Sequence, residues 1–292
     1  MKTVKVKQYI AVKDERLDID QIDHYRLSFF IGARSCELAI YDERKKRLLQ
    51  LETFAFDPKK SLVDNLEDLH HEHILISAGF WKRIQVVLRS KQFCQVPNSL
   101  YSAEHAYDYL KLNGKTDPLT DEYLSTLDES HPYTTVFAMD KALRVWFSAK
   151  YPKPEVSFNH QSAVFLGGTL AAADPQLPFQ LLVNFTQKEM LLAGLEKGKL
   201  VYYNQFALKG AEAEAKMIFH GLKQFSKEGQ ATPILLWGPV DTVKSHQPTL
   251  TKFFKNLSLG QRPKGLKLHN NFNALEAYEF GDIFWAHASQ KA

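Results

Sequence analysis

Residues 27–56 read LSFFIGARSCELAIYDERKKRLLQLETFAF, and the order of apolar and polar runs in this stretch decides the fold. Residues 27–31 are too continuously apolar for a half-exposed strand and suit a buried central one. Residues 32–35 turn the chain, 36–41 read as a second strand, and the charged run 42–47 makes a second turn. Residues 48–56 follow as a third strand, and Pro58 ends a three-stranded antiparallel meander.

The same order returns later in the chain. Residues 27–42 lie over 181–196 without a gap, and 48–56 lie over 200–208 after a charged turn that is two residues shorter. Leu38 meets Leu192, Ala39 meets Ala193, Arg34 meets Lys188, Phe54 meets Phe206 and Ala55 meets Ala207. Six of the 25 pairs are identical, too few to argue from alone, because any two meanders share alternating apolar residues. The elements downstream add weight. After the first meander come a helix at 61–70, with Leu62, Val63, Leu66 and Leu69 on one face, a strand at 84–88 and an extended piece at 93–96. A helix at 103–112 is stopped by Asn113-Gly114, and a polar excursion occupies 115–132. A strand at 134–139, a helix at 141–150 and a helix at 160–173 capped by Asn159 complete the half. The last helix carries a small-residue stripe, Ala163, Gly167 and Ala171.

After the second meander the spacing predicts a helix at 211–226 and a buried parallel-type strand at 233–237. A helix at 241–257 interrupted near Pro248, a strand at 265–268 and a closing helix at 274–288 with Gly281 inside it follow. Each half thus runs meander, helix, parallel-type strand, helix, strand, helix. The expected architecture is a duplicated α/β chain, with an N-terminal lobe over 1–174 and a C-terminal lobe over 175–292.

Composition agrees with that and excludes much else. The 292 residues are 45% hydrophobic, 24% charged and 12% aromatic, as in an ordinary globular protein rather than a disordered or disulfide-stapled one. With 37 Lys+Arg against 33 Asp+Glu, the net charge of +4 argues against a nucleic-acid partner, and the basic run 44–47 reads as a solvated hairpin turn. Cys36 and Cys94 each sit in apolar surroundings and read as small buried hydrophobes. No stretch approaches the ~18–20 apolar residues of a membrane span, and no leader-like apolar run opens the chain, so a cytoplasmic location is expected.

A meander followed by alternating helices and strands, twice in one chain, resembles the actin-like ATPase fold, which is built from two ribonuclease H-like lobes. Residues 27–56, 93–101 (FCQVPNSLY) and 181–208 are similar to an uncharacterised bacterial family of unknown function assigned that fold, and to the actin-like pilus-assembly proteins. The resemblance spans nearly the whole chain, but its motifs are compositional rather than catalytic. It implies a nucleotide site between the lobes, with the turn after each lobe's first strand as a phosphate clamp, an Asp carrying magnesium-bound water, and a glycine pair after a late strand against the adenosine. On this chain those positions give Gly32, Arg34 and Ser35 in the first turn, Thr186 and Lys188 in the second, and Gly238 after the late strand, as candidate cofactor-binding residues.

The acids that the resemblance calls for are missing from those positions. Phe30 or Ile31 stands at the first and neutral Asn184 at the second, while Trp237 and Pro239 flank Gly238. Phosphoryl transfer depends on positioning and on cation-assisted charge stabilisation, so ATP hydrolysis is not expected, nor is a two-metal nuclease. Arg34 and Lys188 leave room for weak nucleotide binding without metal. His70-His71-Glu72-His73 reads as a solvated helix end rather than a metal site, and Asp241 as a helix cap. The expectation is a degenerate, non-catalytic actin-like protein with no resident cofactor, working through an unidentified protein partner. The competing class is an actin-like ATPase or small-molecule kinase drawing carboxylates from Asp140, Asp241 or Asp282.

Overall fold

The computed structural model describes residues 7–112, 114, 116–127, 132–225 and 229–288. The chain divides into two units: the residues up to Ala163 together with Lys267–Phe272, and Val164–Leu266 together with the residues from Asn273 onward.

The first unit opens with β1 (Lys7–Lys13), then the predicted meander β2 (Tyr25–Ile31), β3 (Ser35–Asp42) and β4 (Arg47–Ala55). Helix α1 (Leu62–Glu72) and the single turn α2 (Ile74–Ser77) lead into β5 (Arg83–Leu88). Every residue of β2 is buried, Arg26 and Ser28 included, as in a central strand covered on both faces. Ser61 caps α1 by accepting from Asp64 N at 3.1 Å. Buried Asn65 ties the approach to it, accepting from Asp57 N and donating to Ser61 O. There follow β6 (Phe93–Pro97), α3 (Ala106–Lys111), β7 (Asp121–Thr126), β8 (Tyr133–Asp140), α4 (Lys141–Lys150) and β9 (Glu155–His160). The main sheet has the order β1-β4-β3-β2-β5-β9, with β5 parallel to β2 and β9 parallel to β5. Its core centres on Phe29, which meets the ring of Phe147 edge-on at 5.1 Å.

The second unit repeats this plan. α5 (Gln161–Ala172) precedes β10 (Gln180–Phe185), β11 (Glu189–Glu196) and β12 (Lys199–Ala207). Then come α6 (Ala211–Phe225), β13 (Ile234–Trp237), α7 (Val240–Phe253), β14 (Leu257–Leu259) and α8 (Gly281–Ala288). The sheet order β12-β11-β10-β13-β14 reproduces β4-β3-β2-β5-β9, antiparallel and parallel steps included.

The duplication extends to register. Ile31 pairs with Cys36 as Phe185 pairs with Met190, the pairing that the ungapped alignment requires. Both meanders carry a bulge at the same place, between Ile40 and Tyr41 in one and between Gly194 and Leu195 in the other. The shorter second turn uses Lys197 and Gly198, both at positive φ (48° and 75°), as a two-residue hairpin turn demands.

Several expectations change. The excursion at 115–132 contains β7, which joins β6 and β8 in a separate three-stranded sheet with α3 over its small core of Cys94, Val96, Ala106, Leu110, Val136 and Ala138. Asn113, the proposed helix stop, lies outside the described residues, as do 128–131 of the excursion and Ser226 at the end of the helix expected at 211–226. Asn159 does not cap a helix: it belongs to β9, pairs with Val87, and accepts from the Thr126 hydroxyl at 3.0 Å. The helix expected at 241–257 runs through Pro248 without a break but stops at Phe253, and the alternating residues after it form β14. The strand expected at 265–268 reduces to one parallel bridge, Arg47 to Lys267. The closing helix begins only at Gly281, after Phe280 turns the backbone at φ 57°.

Candidate functional site

In open sheets with parallel strands, ligands are bound beyond the carboxyl ends of those strands. In the first unit these ends are Ile31, Leu88 and His160. Gly32 N–H donates to Ser35 O at 2.9 Å, closing the turn that holds Gly32, Arg34 and Ser35. Arg34 O accepts from Phe56 N at 2.9 Å, while the Arg34 side chain is exposed. Phe30, where the resemblance calls for an acid, is fully buried, and the Arg89 guanidinium lies over its ring at 5.8 Å. Arg89 is itself ion-paired to Glu37. The cation over Phe30 is therefore held by the protein's own carboxylate.

The third strand end carries a residue that the sequence reading missed. His160 is fully buried and stacked on Phe93 at 4.5 Å. Its Nδ1 accepts from Ser162 N at 3.2 Å, and its Nε2 is 3.0 Å from Ser90 O, so Nε2 bears the proton and donates there. Burial pulls its pKa from the usual 6.5 to about 4, against a smaller upward effect of the Ser90 carbonyl. The signal available was the strand-to-helix junction Asn159-His160-Gln161-Ser162, which a helix assignment beginning at 160 conceals.

In the second unit the strand ends are Phe185, Trp237 and Leu259. Thr186 turns the chain by a closed set of bonds. Its N–H donates to Glu189 O at 2.8 Å, and its hydroxyl oxygen accepts from Lys188 N at 3.3 Å and Glu189 N at 3.0 Å. Backbone N–H groups that would grip a phosphate are thus spent inside the turn. Lys188 is exposed. Because Asn184 pairs with Trp237, Gly238 emerges beside this turn. A Cβ on Gly238 would lie 2.7 Å from Phe185 Cβ and 2.8 Å from Phe185 O, and its φ is 141°. Its N–H donates to Tyr278 O at 3.0 Å, so the glycine serves close packing.

Beside Gly238 the space is filled by side chain. Trp237 is 2% exposed, meets Trp285 at 5.1 Å and 66°, and lies flat against Gly260, where an added Cβ would be 1.9 Å from the ring. Gly168 accommodates Trp285 in the same way, with 2.2 Å to the ring, which explains the second glycine of the pair 167–168. Gly260→Ala is expected to cost about 1–3 kcal/mol through overpacking, measurable as a lowered denaturant midpoint with unchanged slope.

The structure brings Thr186, Lys188 and Gly238 together in the second unit and Gly32, Arg34 and Ser35 together in the first. The alternative carboxylates do not gather. Asp140 caps α4, accepting from Ala142 N at 2.8 Å. Asp241 is exposed in the first turn of α7, and Asp282 is buried at the start of α8, bonded to Ile283 N. Burial first, then the neighbouring Glu276 and Asp241 carboxylates, raises the Glu279 pKa. Among the described residues no group of three or more His, Cys, Asp or Glu side chains could hold a metal ion. The histidine run is also more structural than expected. His73 is half-buried and joins Glu52 at 2.7 Å, while His71 pairs with Glu67.

Residues 14–257 match the family model described as a protein of unknown function (DUF3822). No curated protein matches the chain. Among solved structures, the chain is similar to a Bacteroides thetaiotaomicron protein with actin-like ATPase fold and unknown function. The TM-score is 0.78 at 18% identity, covering 94% of this chain and 99% of that one. It is also similar to a chain of the PilM-PilN type IV pilus biogenesis complex, with TM-score 0.58 at 14% identity, covering 91% of this chain and 99% of that one. At these identities the likeness shows the fold, and the fold is that of the actin-like ATPases.

Proposed function

The chain belongs to the DUF3822 family of unknown function, and from that premise we propose that it is a non-catalytic actin-fold protein, an interaction or assembly platform that works through contacts with a protein partner. The observation that carries this reading is the packing of Trp237 against Gly260, Gly281 and Trp285, beside a turn whose backbone donors are bonded internally. Phe30 and Asn184 near the two strand ends support it, since neither supplies the negative charge of the acid that the fold's phosphoryl chemistry uses there. The solved PilM in complex with PilN supplies a precedent for an actin-like fold acting through a protein partner. Among the described residues no helix is long and apolar enough to cross a membrane, which is compatible with the proposed cytoplasmic location.

One observation favours a second reading, a nucleotide-binding ATPase or small-molecule kinase. Arg34 and Lys188, one on each phosphate-type turn, are both exposed and, among the described residues, ion-paired to nothing. Thermal denaturation separates the two readings. A ligand present at about 100 times its dissociation constant stabilises by about 2.7 kcal/mol, a rise of several degrees in melting temperature. The platform reading expects no rise with millimolar Mg-ATP, ADP or GTP. A rise that disappears in the Arg34→Ala, Lys188→Ala double variant overturns it.

A further inference from the structure

The two copies of the meander differ at one edge. In the first unit the outer side of β4 is covered by antiparallel β1, with Val12 opposite Leu51 and Lys7 opposite Ala55. Below β1, Asp14 N–H reaches the carbonyl of Leu49, the residue displaced by the bulge, at 2.7 Å. In the second unit β12 takes the place of β4 and ends the sheet, with no described strand beyond it. Leu208 N–H donates to Lys188 O at 2.8 Å, and Phe206 and Asn204 continue that register toward β11. Alternation then turns the backbone groups of Gln205 and Ala207 outward. The Gln205 N–H is met at 2.8 Å by the side-chain oxygen of Asn204, a local substitute for a neighbouring strand's carbonyl.

The bulge at Val201 is the main protection this edge has. β12 is nine residues long, contains no proline, and carries its only charge at Lys199, whereas β1 has a lysine at each end. Phe225 flanks it from α6, its ring 5.3 Å from Tyr202 and 39% exposed.

We propose that β12 pairs antiparallel with β12 of a second copy of this chain about a two-fold axis at position 203, joining the two second-unit sheets into one. The strand is self-complementary in that register. Leu200 falls opposite the second copy's Phe206, Val201 opposite Gln205, Tyr202 opposite Asn204, and Lys199 opposite Ala207. Leu200 against Phe206 is an apolar–aromatic pair, the axis sets Tyr203 against its own copy, and no like charges meet, an arrangement compatible with cross-strand pairing. The pairing is isologous and closes at two chains. It stands independently of the nucleotide question.

Sedimentation velocity and light scattering on the full chain at micromolar concentration test this, with the mass of two chains expected and the mass of one chain overturning it. Gln205→Pro removes an outward N–H without touching the β11 ladder, and is expected to weaken the dimer at least tenfold while leaving circular dichroism unchanged. A dimer indifferent to Gln205→Pro overturns the proposal. Should that variant misfold, the Val201→Cys, Gln205→Cys double variant reads the same register, because facing Cα atoms would lie within disulfide reach. Cys36 and Cys94 are buried, so only the introduced thiols react. A covalent dimer on mild oxidation supports the register, and a monomer refutes it. If the chain is monomeric but binds a peptide of residues 7–13, the edge takes a strand like β1 instead, and the second-copy assignment fails.

Discussion

Trp237→Ala is expected to lower the free energy of unfolding by about 3–5 kcal/mol, the range for truncating a large aromatic side chain in a core. Trp237 is 2% exposed, and its ring is enclosed by Gly260, Gly281 and Trp285. Two of those neighbours are glycines with no side chain to move into the vacated space, so relaxation is small and the cavity term is close to its full size. Trp285 is itself held against Gly168, which limits collapse from the third side. Urea denaturation of the wild type and of Trp237→Ala, compared at equal slope, gives the number. A loss under about 1 kcal/mol would mean that the ring is not the centre of this core.

Acidification from pH 7 to pH 5 is expected to cost about 2 kcal/mol through His160 alone. Its pKa is about 4 in the folded chain and 6.5 when free. Below pH 6.5 the unfolded chain takes up a proton that the folded chain refuses, so unfolding gains. The contribution is therefore complete above pH 6.5 and lost progressively as pH falls toward 4. Burial gives the reason: a charged ring would be held without water between Phe93 and Phe137. Glu67, lowered by hydrogen bonds from Lys150 and Trp146, loses its contribution only below its ordinary 4.5. Stability measured from pH 7 to 5 in the wild type and in His160→Gln isolates the histidine. Parallel curves would remove the assignment.

The meanders were legible because their information is local. Predominantly apolar runs such as 27–31 and 181–185, followed by short turns, specify strand, turn and register together. The small sheet was hidden because β7 is half-buried along nearly its whole length, and its residues Asp-Glu-Tyr-Leu-Ser-Thr show neither alternation nor an apolar run. β14 was missed, the expected helix covering only its first residue Leu257, because three residues are too few to show a period of two. At the candidate site, the neutral positions Phe30 and Asn184 could be read directly. The bonds that close the Thr186 turn could not, since they depend on which way one hydroxyl points. His160 went unnoticed for a related reason: its burial is set by Phe93 and Phe137, distant in sequence.

The paired bulges at Ile40/Tyr41 and Gly194/Leu195 carry a chronology. A one-residue irregularity at the same rung of two ladders is a detail that selection for a generic meander would not place twice. A single ancestral unit that carried the bulge before it was copied would account for both. The sheet of β6, β7 and β8 lies between β5 and β9, whereas their counterparts β13 and β14 are joined by α7 alone. Among the described residues, strand β1 likewise has no counterpart in the second sheet. The order of events that accounts for this most simply is a bulged ancestor, then its doubling, then growth of the first copy only. The second copy stays nearer the founding plan, with the edge of its sheet still as that founder left it.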